Sequence, residues 1–123
     1  MSYIDGFILP LKDEKLDEYR TMAEMFARKA AAVGALGSVE GIGDGLQPGH
    51  TTDFFKAVKA EEGENVVFSF VVWPDKATRD AGWEKIMADP EMQPGAQPMP
   101  FDGKRMFWGG FKPIVNTLEK IDA

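Results

Sequence analysis

The chain has 123 residues, a net charge of −6 and no cysteine. That length predicts one domain around one core, and 44% apolar with 28% charged residues is globular composition rather than that of a disordered chain. The acidic balance, with basic runs no longer than Arg28-Lys29 and Lys104-Arg105, argues against nucleic-acid binding, and the missing thiols exclude disulfides, thiolate nucleophiles and Cys-ligated metal centres.

The first residues, from Met1 to Asp5, show no basic start followed by a long apolar stretch, so no signal peptide is predicted. Tyr3 to Leu9 is rich in β-formers and reads as a first strand closed by Pro10, with Asp5 and Gly6 its odd members. Leu16, Tyr19, Ala23, Phe26, Ala30 and Val33 then recur at steps of three and four, the stripe of an amphipathic helix. Asp13 is placed to cap it, Arg28 and Lys29 suit its negative end, and Gly34 suits its C′ position.

Ala35 to Ile42 reads as a second strand, followed by a glycine-rich loop. Thr52 to Lys59 is a candidate short strand. Val66 to Trp73 is apolar on both faces, with Val66, Phe68, Phe70 and Val72 on one and Val67, Val71 and Trp73 on the other. A strand with this pattern must be covered on both sides. At eight residues, with Ser69 inside, it is far short of the roughly twenty a membrane span needs. The expected location is cytoplasmic.

Pro74-Asp75 opens a second helix reaching about Asp89, with Ala77, Ala81, Trp83, Ile86 and Met87 as its apolar stripe. Gly82 in its middle costs about 1 kcal/mol relative to alanine. A proline-rich loop follows, and Arg105 to Phe111, extending toward Val115, reads as the last strand. Four main strands and two long helices in this order predict an α+β, ferredoxin-like split βαβ sandwich, an antiparallel sheet with both helices on one face.

Two helices cover one face only, yet three strands carry bulky apolar residues on both. A four-stranded face spans roughly 400 Å² in projection. The expected cover is a second copy packing sheet on sheet, with the proline-rich loop and the C-terminal segment as the intramolecular alternative.

Several stretches resemble one family: Tyr3-Ile4-Asp5-Gly6-Phe7, Glu64-Asn65-Val66-Val67-Phe68-Ser69, Met99-Pro100-Phe101-Asp102-Gly103-Lys104-Arg105-Met106, and Gly109-Gly110-Phe111. The chain is similar across nearly its whole length to the YbaA-like family of small bacterial proteins, a domain of unknown function. The family is placed in the dimeric α+β barrel superfamily. The resemblance implies the fold and a homodimer but no activity. Members often carry Cys after the glutamate matching Glu40; Gly41 stands there in this chain, so no thiol chemistry follows from the resemblance.

Candidate site residues are Asp5, Glu40, His50, Arg79, Asp102 and Arg105. His50 is the single histidine, which excludes a multi-histidine metal site; it reads as a surface residue, with general base or haem ligand as the functional alternative. Gly41 to Gly45 resembles a phosphate loop only faintly, because Pro48 rather than a helix follows and Asp44 would repel phosphate. A carboxylate inside an apolar strand must be paired, hydrogen-bonded or shifted in pKa. Asp5 is therefore either a general base or ligand-orienting group in a pocket between sheet and helices, or a carboxylate satisfied by a buried pair with Arg105 or Arg79 or by backbone N–H groups. Asp102-Gly103 has turn chemistry, and the basic pair after it suits a dimer interface. Met22, Met25, Met87, Trp83 and Trp108 read as core rather than as a cofactor box.

No cofactor and no metal are predicted. Three functions remain: a homodimeric small-molecule-binding domain with Asp5, Arg79 and Arg105 as polar anchors, a cofactor-independent monooxygenase or isomerase, and a dimeric interaction module.

Overall fold

In the computed structural model, which describes residues 2–118, strand β1 (Tyr3–Lys12) leads through a 3-10 turn (Asp13–Lys15) into helix α1 (Leu16–Ala32). Strand β2 (Gly37–Ile42), a one-turn helix α2 (Phe54–Ala57), strand β3 (Glu64–Trp73), helix α3 (Lys76–Ala88) and strand β4 (Phe107–Phe111) follow. The sheet order is β2-β3-β1-β4 and every neighbouring pair is antiparallel, the arrangement of a ferredoxin-like split βαβ sandwich.

Register assigns the two faces. Tyr3, Asp5, Phe7, Leu9 and Leu11 of β1 pair with Trp73, Val71, Ser69, Val67 and Asn65 of β3, and this set faces the helices. Ile4, Ile8, Phe68, Phe70 and Val72 occupy the other side. The helix side holds the core: Leu9, Leu11 and Val67 pack on Tyr19 and Ala23, while Val71 and Trp73 pack on Ala30 and Ile86.

Several local expectations change. β1 runs on through Pro10 to Lys12, because β4 stops opposite Ile8 and leaves β1 an edge there, where a proline is tolerated. Asp13 lies inside the 3-10 turn and makes no cap bond to α1. Residues 54–57 are helical rather than strand, because the Asp53 carboxylate accepts the backbone N–H of Lys56 and caps that turn. Asp75 caps α3 in the same way through Thr78. Arg105 precedes β4, and the strand ends at Phe111 rather than near Val115.

Gly82 is where α3 approaches the sheet. A Cβ there would stand 2.8 Å from the Trp73 ring and 3.1 Å from Val33, so the residue that weakens the helix is the one that lets it pack. Gly34, at φ +113, turns the chain out of α1 as the sequence indicates. Met87 does not join the core; it is 69% exposed.

Among the described residues most of the second face stays open, with Pro10 and Val66 buried at one end of it, while the end of the C-terminal segment, from 119 on, lies outside the described residues. Val39, Phe68, Phe107 and Phe111 keep between 46% and 63% of their surface in solvent. The proline-rich loop does not cover them; its Met99 and Phe101 sit on the helix side. Among the described residues no helix is long and apolar enough to cross a membrane.

Candidate functional site

The sequence candidates separate into three places. Asp5 is fully buried on central strand β1 and is saturated with donors. The Trp73 and Trp83 indole N–H groups donate to its Oδ2 at 3.0 and 2.8 Å, and the Arg79 guanidinium reaches both carboxylate oxygens, with Nη2 to Oδ1 at 2.6 Å. Arg79 also lies over the Tyr3 ring, 5.1 Å from its centroid. Gly110, opposite Asp5 in the register, makes the room: a Cβ there would meet Arg79 Nη2 at 2.8 Å. Asp5 and Arg79 are thus consumed by one another, the paired alternative, and Arg105 is not the partner.

Arg105 sits at the far end of the sheet. It holds Glu64 through Nη1 and Nη2 at 2.6 and 2.8 Å, Asp102 through Nε at 3.0 Å, and the Lys59 carbonyl. These bonds hold Glu64 and Asp102 below the usual carboxylate range, Arg105 being the leading cause for each. The Asp102 carboxylate also accepts the Lys104 N–H, so the turn chemistry is as the sequence indicates, and Arg105 pairs with Glu64 and Asp102 of its own chain. The effect is a clip tying the 99–106 segment to the start of β3. His50 lies apart from both places, exposed, with its carbonyl accepting a bond from Lys56. Among the described residues no group of His, Asp or Glu is arranged to hold a metal ion.

Glu40 occupies the third place. It projects from β2 on the helix side, directly across from Ser69 of β3. The Tyr19 hydroxyl of α1 donates to its Oε1 at 2.6 Å, and the Ser69 hydroxyl, opposite in the register, also favours the charged carboxyl. Burial pushes the Glu40 pKa up more than these two hydroxyls pull it down. Burial first, and then the bond to Glu40, push the Tyr19 phenol well above its ordinary value, so it remains a protonated donor.

This triad forms one wall of a cavity of about 230 Å³ between α1, α3 and the sheet. Its other walls include Phe7, Phe26, Trp83, Met22, Phe101 and Met106. The rings are mutually packed, with Phe26 5.6 Å and Phe7 6.2 Å from Trp83 between centroids. Trp83 joins the cavity to the Asp5 cluster, its N–H fixed by Asp5. On the other side of Glu40 an open groove of about 310 Å³ runs between α1 and β2.

Tyr19 and Ser69 were not among the sequence candidates. Tyr19 fits the apolar stripe of α1 by spacing, which hides its hydroxyl. Ser69 carried a signal, as the one polar residue between Val66 and Trp73. Trp83 and Met22 pack against the core as the sequence indicates and also line the cavity, while Trp108 is half exposed on β4.

Fold and site together define a small α+β sandwich protein with an aromatic cavity under its helices and one carboxyl in the cavity wall. Residues 2–103 match the family described as Protein of unknown function (DUF1428), and the chain belongs to that family. It is 47% identical over 116 residues to the protein named "Uncharacterized protein YbaA" of Escherichia coli strain K12, covering 94% of this chain and 99% of that relative. The proteins of the same name from Escherichia coli O157:H7 and Shigella flexneri match with the same identity and coverage.

Proposed function

We propose that this chain is a cytoplasmic, single-domain homodimer that binds a small molecule in the cavity between α1, α3 and the sheet. The observation that carries the binding reading is the Tyr19–Glu40–Ser69 cluster. A few convergent polar groups in the wall of an otherwise apolar, concave space are the usual make-up of a ligand site. The methionines in the wall, Met22, Met92, Met99 and Met106, are unbranched and can adapt their shape to an occupant.

The dimer reading rests on the uncovered face. Phe68, Phe107, Phe111 and Val39 form an apolar surface of roughly 400 Å², with no charged residue among the paired positions between Ile4 and Ile8 on that side. Ile114 and Val115, just beyond β4, are 96% and 81% exposed. Sheet-on-sheet packing about a two-fold axis covers both copies at once.

A thermal-shift screen against metabolites tests binding. A ligand at one hundred times its Kd stabilises the fold by about 2.7 kcal/mol. The expected hit loses its shift in Glu40→Gln and Tyr19→Phe, and a hit indifferent to both places the ligand elsewhere. Sedimentation at micromolar concentration tests the dimer. The expected species has twice the 13.6 kDa chain mass, reduced to one chain mass by Phe68→Glu, whereas a monomeric wild type removes the dimer.

A second reading, a cofactor-independent enzyme of isomerase type, draws on one observation: a carboxyl with a raised pKa beside a cavity is how general bases are tuned. Turnover of the bound molecule, lost in Glu40→Gln, separates it from simple binding.

A further inference from the structure

Among the described residues, several carboxylates that the fold engages in packing or capping are given a cation, while Asp75, the cap of α3, is held by Thr78. Asp5 has Arg79, Glu64 and Asp102 have Arg105, Asp89 has Lys29, and Asp53 has Lys56. Glu40 has none. The Tyr19 hydroxyl donates to its Oε1 and the Ser69 hydroxyl stands beside it, both neutral, and a carboxylate has about four acceptor positions, so some remain open. The arginine nearest in the same groove, Arg20, is bonded to Asp17 at 3.1 Å. Glu40 is an exposed residue of β2 whose carboxyl borders the aromatic cavity, so its open acceptor positions can be filled by water or by a ligand cation.

We propose that the cavity takes a small amine carried on an aromatic body, with its ammonium group set against the Glu40 carboxylate. This rests on the reading of the cavity as a ligand site and names what that site selects. Aromatic rings suit the cation as well as the body of such a ligand, because the ring faces carry negative charge density. At roughly 30 Å³ for each water-sized unit, a space of about 230 Å³ suits a molecule of about eight non-hydrogen atoms. An anionic ligand is disfavoured, since no cationic side chain lines the cavity.

Protonation follows from the same geometry. Tyr19 from α1 and Ser69 from β3 face Glu40 directly; Arg20 and Glu24 of α1 line the adjoining groove; α3 and the 92–106 segment contribute no titratable side chain to the cavity wall. Burial favours the neutral carboxyl in the empty site, and an arriving ammonium favours the charged one. Binding of the amine therefore expels a proton from Glu40 near its pKa, and affinity falls as pH drops through that value.

The test is calorimetric titration of the full chain with 2-phenylethylamine, 2-phenylethanol and phenylacetate, at pH 7 and pH 5. The amine is expected to bind about tenfold tighter than the alcohol at pH 7, with phenylacetate weaker than either. Glu40→Gln is expected to bring the amine down to the alcohol, Glu24→Gln to leave it unchanged, and the shift to pH 5 to weaken the amine alone. An alcohol that binds as tightly as the amine, or an amine unaffected by Glu40→Gln, overturns the amine class and leaves the cavity standing as a ligand site. No heat from any of the three probes overturns both.

Discussion

Asp5 and Glu40 are both carboxylates on strands, both on the helix side of the sheet, and they have opposite surroundings. Asp5 receives two indole N–H groups and a two-pronged guanidinium with nothing left over. Glu40 receives two hydroxyls and faces open space on both sides. Burial alone would rank Asp5 as the functional residue. Counting donors reverses the ranking: a saturated carboxylate holds the fold together, and an unsaturated one beside a cavity is free to act on a ligand.

Matched substitutions break or sharpen this contrast. Asp5→Asn breaks the buried pair and leaves Arg79 only the exposed Asp80 carboxylate, and breaking a buried pair typically costs about 3–5 kcal/mol. For a chain of this size that lowers Tm by roughly 10–20 °C in thermal unfolding. Glu40→Gln removes a carboxyl that the fold does not need and should leave Tm at pH 7 unchanged or slightly higher. Equal losses for the two variants would end the contrast.

Gly82→Ala ranks next. The alanine gains about 1 kcal/mol of helix propensity but forces a contact with the Trp73 ring that costs about 1–3 kcal/mol. A net loss in denaturant unfolding is expected, and it should disturb the packing of Trp73 and Trp83 next to Asp5 more than the Glu40 wall.

The pH dependence separates the two kinds of carboxyl by sign. The Glu64 carboxyl is lowered from its ordinary 4.5 by Arg105, so its contribution to stability is present above that value and is lost as pH falls through its folded pKa. The Glu40 carboxyl is raised, so the folded state holds its proton more tightly than the unfolded chain does. Its contribution is full below 4.5 and fades as pH rises through the raised value. The Tm difference between Glu64→Gln and wild type should therefore be widest at neutral pH and vanish in acid. That of Glu40→Gln should appear only as pH rises.

The most local expected effect is that of Arg105→Ala. It unties the 99–106 segment from Glu64 and loosens Met99, Phe101 and Met106 over the cavity. Hydrogen exchange should speed up in that segment with little change in the strands.

Strand faces and the main helices were legible because period-two and period-3.6 patterns are local properties of the chain. The apolar residues of Val66 to Trp73 already divide as the structure divides them. The α2 turn was misread because one cap, Asp53, outweighs the β-propensity of the residues after it. At the site, Asp5 and Glu40 stood out as acids in strands, but which of them is satisfied depends on Arg79 and Trp83, 74 and 78 residues away from Asp5 in sequence. Tyr19 escaped notice because spacing reports where a side chain points and says nothing of what its hydroxyl meets. Grouping Arg105 with Asp5 failed for a related reason: composition gives the partners without the distance along β1 that separates them.

The most direct measurement is a carbon-13 NMR titration of the glutamate side-chain carboxyls, with Glu40 assigned by its absence in Glu40→Gln. The account predicts a midpoint for Glu40 above 4.5 in the ligand-free protein, with Glu64 in the same spectrum titrating below that value. A Glu40 midpoint at or below 4.5 would mean that the carboxyl already has the partner it is described here as lacking.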